Sequence, residues 1–158
     1  MGDIEFLDVD FERGKCIIVP ANLYGCPISS TDKPEMPEIL SAILDTGASS
    51  THISKKVLLE IGYSEKDFFV DTKTSLSVTG QYTAMMCKVR RIGFCGLTIN
   101  NFDVKVWEPP ANYHVTGIIG MNLLRHYNIH INSDSQRATI NHSNATVATL
   151  KNTQKGRA

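Results

Sequence analysis

At 158 residues, with sixteen basic and sixteen acidic side chains, the chain is long enough for one hydrophobic core and carries no formal net charge. That balance argues against a polybasic nucleic-acid binder, and no apolar run reaches the roughly 20 residues that a membrane helix needs. Lys88, Arg90 and Arg91 form a small basic cluster that reads as a solvated strand face. No charged-then-apolar leader opens the sequence, so a cytoplasmic protein is expected, with neither nucleic acid nor membrane as partner. The four cysteines, Cys16, Cys26, Cys87 and Cys95, contain no Cys-x-x-Cys pair, so reduced thiols are expected and no metal or cofactor.

Residues 4–11 mix apolar and acidic side chains and predict a first strand. Residues 15–20 predict a stronger one, ended by turn residues at Asn22 and Gly25. The segment 27–37 is rich in Pro, Ser, Thr and Asp and reads as an exposed loop, and residues 38–44 form the strand that delivers Asp45. Ser54 is placed to cap a short helix with Val57, Leu58 and Ile61 on one face and Gly62 at its end. Residues 72–79 and 82–92 alternate as two strands around Gly80, a hairpin. Residues 97–107 extend the sheet, with Asn100-Asn101 marking a turn and Pro109-Pro110 breaking the strand. A short buried strand at 117–119 and a helix over 121–127 follow. Ile129 and Ile131 alternate in a strand, residues 132–135 turn, and residues 138–140 continue it; the polar tail from Lys151 is expected to be disordered.

The chemistry concentrates in Asp45-Thr46-Gly47-Ala48-Ser49, which follows the apolar pair Ile43-Leu44. The glycine permits a tight turn and close backbone approach to the carboxylate, and the threonine hydroxyl can hydrogen-bond within the turn. Other constellations are weaker. Ser49, Ser50 and His52 lie close in sequence, but no acid is evident to orient the imidazole. His126 and His130 have the spacing of helical metal ligands, yet the pattern turns to strand at Asn128 and separates them.

A second motif follows downstream, Gly117-Ile118-Ile119-Gly120-Met121-Asn122-Leu123-Leu124. The two motifs, in this order and with a glycine-tipped hairpin between them, resemble the retropepsin-like aspartic peptidases over residues 15–140. The resemblance implies an all-β fold, a closed barrel or sandwich with a flap hairpin and one or two short helices. Residues 1–14 would then be an N-terminal strand or extension and 141–158 a polar, partly disordered segment. It implies an aspartic endopeptidase in which Asp45, Thr46 and Gly47 form the catalytic loop. Substrate would lie extended against Ala48, Ser49, the flap residues Thr79, Gly80 and Gln81, and Ile118. Only one Asp-Thr-Gly loop is present. Two carboxylates are needed, so a homodimer acting on an extended polypeptide is expected. The runner-up is the same fold used for dimerisation or peptide binding without turnover. Ala48 has no hydroxyl to donate to the carboxylate, so the optimum is expected at weakly acidic pH.

Overall fold

The computed structural model describes residues 6–26, 36–71, 75–77 and 80–142. Most of the expected loop at 27–37, the flap residue Thr79 and the tail beyond residue 142 lie outside them.

Twelve strands and two short helices are formed by the described residues: β1 (Phe6–Asp10), β2 (Ile18–Tyr24), β3 (Glu38–Leu44), β4 (His52–Ser54), α1 (Lys55–Glu60), β5 (Phe68–Val70), β6 (Ser75–Ser77), β7 (Gly80–Tyr82), β8 (Met85–Phe94), β9 (Leu97–Trp107), β10 (Gly117–Ile119), α2 (Met121–Leu124), β11 (Tyr127–Asn132) and β12 (Arg137–His142). Alternation decides which way each strand faces. In β2, Val19, Ala21 and Leu23 point inward, while Ile18, Pro20 and Asn22 point out. The same logic sends Leu40 of β3 and Val104 of β9 into one core with Ile53 and Ile119, whereas β8 changes phase at Arg90-Arg91, so that Val89 and Ile92 are both buried there. Each such side chain contributes roughly 1.5–3 kcal/mol by leaving water.

The main sheet runs β2-β3-β10-β4-β9-β8-β5, and β2 also pairs with β8. That extra pairing closes six strands into a barrel, the expected all-β architecture. Closure leaves the barrel strands without a free edge. Near the β2–β8 seam, the Tyr63 hydroxyl donates to the Tyr24 carbonyl at 3.1 Å and accepts from the Arg90 amide at 2.8 Å. Burial pushes this phenol's pKa up.

A second sheet, β1-β12-β11, packs Leu7, Val9 and Ile129 against the core, while Ala138 and Ile140 are fully buried. Arg137 of β12 forms an ion pair with Asp8 of β1. The hairpin β6–β7 forms a third, two-stranded sheet of its own.

Several boundaries differ from the sequence expectation. Asn100-Asn101 does not turn the chain, since β9 runs straight through it with Asn101 alone at φ 52°. The turn sits at Cys95-Gly96, where φ of 46° and 76° make the two-residue connection between β8 and β9. The expected strand 82–92 divides at Thr83–Ala84, so Gly80–Tyr82 pairs back on Ser75–Ser77 and β8 begins only at Met85. The helix expected over 121–127 stops at Leu124, and Tyr127 opens β11, its hydroxyl donating to the Phe94 carbonyl at 2.5 Å. Ser54 does precede α1, with no side-chain capping bond, and Gly62 follows it at φ 101°.

Candidate active site

Asp45 emerges where β3 ends beside β10. The two strands are parallel, with Ile43 opposite Ile118 and Leu44 opposite Ile119, and the Asp45 amide donates to the Ile119 carbonyl at 3.0 Å. This fixes the Asp45 backbone against buried β-structure while the next residues turn outward. The Gly47 amide donates to Asp45 Oδ1 at 2.8 Å, and the Ala48 amide to the Asp45 carbonyl at 3.3 Å. A Cβ at Gly47 would stand 3.2 Å from that same Oδ1, so glycine leaves room for the carboxylate to rest on the loop's backbone. Asp45 and Ala48 are half-buried; Thr46, Gly47 and Ser49 are exposed.

A second layer holds the loop from behind. β10 runs between β3 and β4, antiparallel to the latter, and delivers Gly120 and α2 beneath residues 48–51. The Met121 amide donates to the Ala48 carbonyl at 2.7 Å and the Asn122 amide to the Ser49 carbonyl at 3.1 Å. Thr51, fully buried, accepts at its hydroxyl from the Gly120 amide at 3.2 Å. The Thr51 amide and hydroxyl both donate to Asn122 Oδ1, each at 2.8 Å. A Cβ at Gly120 would fall 2.3 Å from the Ser50 carbonyl oxygen, so no side chain fits there.

His52 Nδ1 lies 2.9 Å from the Ser50 carbonyl oxygen, which requires the proton on Nδ1. The ring therefore binds backbone rather than a serine hydroxyl. Burial lowers the pKa of His52, and the nearby Lys105 ammonium acts in the same direction, against the opposing hydrogen bond to Ser50 and the Asp45 charge. His126 follows α2 whereas His130 lies in β11, so they share no helical face.

Of the expected substrate contacts, Ile118 lines a cavity of about 630 Å³ together with His52, Lys55, Met85, Lys105 and Glu108. Gly80 and Gln81 lie in β7, the return strand of the hairpin, with Gly80 at φ 123°. Sequence reasoning assigned no role to His52 or Lys105. Between the inward residues Val104 and Val106, Lys105 reads as an ordinary outward residue, and no signal in the sequence marked it as buried.

Solved structures share this architecture. A retropepsin-like aspartic protease from Rickettsia conorii superposes over 87% of this chain and 90% of its own, with a TM-score of 0.59 at 17% identity. EIAV protease, solved in complex with the inhibitor HBY-793, superposes over 74% of this chain and 92% of its own, with a TM-score of 0.50 at 19% identity. No curated protein matches the sequence. The family model described as "gag-polyprotein putative aspartyl protease" matches residues 38–126, which hold both the Asp-Thr-Gly loop and the Gly-Ile-Ile-Gly strand. With more than half of its length matched, the chain belongs to this family of retropepsin-like aspartic proteases.

Proposed function

We propose that the chain is an aspartic endopeptidase whose active form is a homodimer, with one Asp45 from each copy. The observation that carries this reading is a single Asp-Thr-Gly loop, intact and anchored to β10, with Thr46 and Gly47 open at the surface. A twofold pairing of identical surfaces brings two such loops together on the axis. Two carboxylates about 3 Å apart cannot both ionise and hold one proton between them. The ionised Asp45 takes a proton from a water as its oxygen attacks the substrate carbonyl carbon. The protonated Asp45 gives its proton to the carbonyl oxygen, forming a neutral gem-diol. As this collapses, the C–N bond breaks and the amine leaves with a proton. Each carboxylate thus acts once as base and once as acid, and no covalent intermediate is needed.

The substrate lies extended between the catalytic loops and the β6–β7 hairpins. It pairs through its backbone and leaves selectivity to side-chain pockets beside Ile118. Ala48 and Ser49 border the same groove, and the reaction runs in the cytoplasm without a cofactor.

The test pairs sedimentation equilibrium with a peptide-cleavage assay on wild type and Asp45→Asn. A mass near twice the chain, together with cleavage lost in the folded variant, is expected. A monomer that cleaves, or a variant that retains activity, refutes the mechanism. Binding of peptides by wild type without any cleavage assigns the fold to a non-catalytic role instead.

A further inference from the structure

The cavity beside Ile118 has an unused polar atom in its wall. Ile118 of β10 stands opposite Ile43, two residues before Asp45, and on its other side opposite His52 of β4. Cross-strand partners share a face, so the imidazole and Ile118 both point away from the barrel interior, where Ile53 and Ile119 are buried. Neighbouring strands lie about 4.8 Å apart, so roughly 10 Å separates β4 from β3, the strand that delivers Asp45. An extended substrate covers that span in about three residues.

The two ring nitrogens of His52 have different surroundings. Nδ1 lies 2.9 Å from the Ser50 carbonyl oxygen and carries the proton of the neutral ring, so Nε2 is a bare acceptor. Nothing among the described residues donates to it. It is open to solvent, because among these residues no fully enclosed side-chain nitrogen or oxygen lacks a partner. The ring lines the cavity of about 630 Å³, to which Phe68, Met85 and Ile118 contribute carbon surface. The charged groups there are occupied or hydrated. Lys55 is paired with Glu65 at 2.8 Å, Glu108 is exposed, and the buried Lys105 is already engaged. Burial opposes a positive charge on the ring, which keeps Nε2 without a proton at neutral pH.

We infer that His52 is a specificity-determining residue, whose Nε2 accepts a hydrogen bond from an uncharged hydroxyl or carboxamide side chain of the substrate. Thr, Ser, Asn or Gln entering beside Ile118 brings a donor to the lone pair. An aliphatic isostere strips water from Nε2 and returns nothing, and a carboxylate sets lone pair against lone pair. Burial counts against an incoming ammonium as it does against a proton on the ring. The inference rests on the endopeptidase reading for the position of the scissile bond. A twofold dimer has two His52 rings, so the preference should occur once on each side of that bond.

The test uses a cleaved decapeptide in which each position within four residues of the scissile bond is replaced in turn by Thr, Val, Asn or Asp. At the pocket positions, wild-type kcat/KM should be about fivefold higher for Thr than for Val, and for Asn than for Asp. His52→Asn keeps a short amide that can donate to the Ser50 carbonyl, but it has no atom where Nε2 stood. It should bring the Thr-to-Val ratio near one. A wild-type ratio of one at every position, faster cleavage of the Asp peptide than the Asn peptide, or a Thr-to-Val ratio unmoved by His52→Asn overturns the inference and leaves the peptidase reading intact. A second readout needs neither turnover nor a His52 variant. Asp45→Asn protein carrying isotope-labelled histidine is titrated with the Thr and Val peptides, and the His52 ring nitrogens are followed by NMR. The free protein should show the Nδ1–H tautomer, and the Thr peptide alone should move Nε2 toward hydrogen-bonded values. An Nε2–H tautomer, or an Nε2 resonance that the two peptides move alike or not at all, refutes the proposal even if no cleavage is ever seen.

Discussion

The side-chain carbonyl of Asn122 accepts two hydrogen bonds from one residue, Thr51, whose amide and hydroxyl both reach it at 2.8 Å. Seventy-one positions separate the pair in sequence. Thr51 is fully buried, so its polar atoms have no recourse to water. Asn122 also donates from Nδ2 to the Asp103 carbonyl at 3.3 Å, which ties the segment after Asp-Thr-Gly, α2 and β9 through one side chain.

Asn122→Ala leaves two buried Thr51 donors without their acceptor and should cost about 1–3 kcal/mol for each. Asn122→Asp keeps the acceptor for both Thr51 donors and sets a carboxylate oxygen against the Asp103 carbonyl, a repulsion that solvent screens at this exposed contact, so it should be milder. Urea midpoints of the two variants check the order. If the aspartate variant is the less stable, the acceptor role of Oδ1 is not what matters.

Gly120 and Gly14 make a contrast between two kinds of glycine requirement. Gly120→Ala drives a Cβ to 2.3 Å from the Ser50 carbonyl oxygen and 2.9 Å from that of Ala48, both backbone atoms. A loss of roughly 3 kcal/mol or more is expected, seen as a steep drop in Tm. Gly14 has φ 77° with nothing within 4 Å of an added Cβ. Gly14→Ala therefore meets only backbone strain and should cost about 1 kcal/mol.

His52 makes stability depend on pH with a definite sign. Burial, first, and then Lys105 hold its folded pKa below 6.5, so the folded protein binds this proton less readily than the unfolded chain. Its contribution is intact above pH 6.5 and is lost as pH falls from there through the folded pKa. His126, lowered chiefly by burial, adds an effect of the same sign. Unfolding free energies measured from pH 7.5 to 5 should fall less steeply in His52→Gln than in wild type. Equal slopes would show that the imidazole is not desolvated in the folded state.

The cysteines should separate by reactivity. Cys16 is exposed, whereas burial pushes the thiols of Cys87 and Cys95 up to about 11. Cys95 Sγ also donates to the Ile140 carbonyl at 3.2 Å. Because the thiolate is the reactive form, alkylation at neutral pH should label Cys16 quickly and half-buried Cys26 more slowly. Cys87 and Cys95 should label only on unfolding, and mass spectrometry of timed samples gives the order.

The barrel was legible because its determinants are periodic or local. Alternation marked β8 and β9, short apolar runs marked β3 and the start of β2, which runs on through Asn22 to Tyr24, and a strand ending in Asp-Thr-Gly marked the loop. Less legible were features decided by partners far away in sequence. Asn100-Asn101 has turn composition, yet β8 pairs across it and holds it in the strand, while Cys95-Gly96 takes the turn because both residues adopt positive φ. β5 is three residues long and exists through its pairing with β8, so no internal pattern announces it. Lys105 reads as an ordinary outward residue; only the fold over β9 makes it buried. Asn122 stood in plain view within its motif, but its acceptor role needs Thr51 beside it.

The threading of β10 between β3 and β4 also sets an order of events in folding. Asp45 docks on Ile119, and residues 48–51 dock on residues 120–122, contacts that span about seventy positions of chain. Such long-range pairings carry a large loop-closure entropy and form slowly. A growing chain that has been synthesised through β9 already contains Asp-Thr-Gly but has nothing to hold it. The loop can reach its final shape only after α2 has been made and has docked. Nascent or partly unfolded copies therefore lack an organised Asp-Thr-Gly loop, a delay in ripening that the order of strands alone imposes.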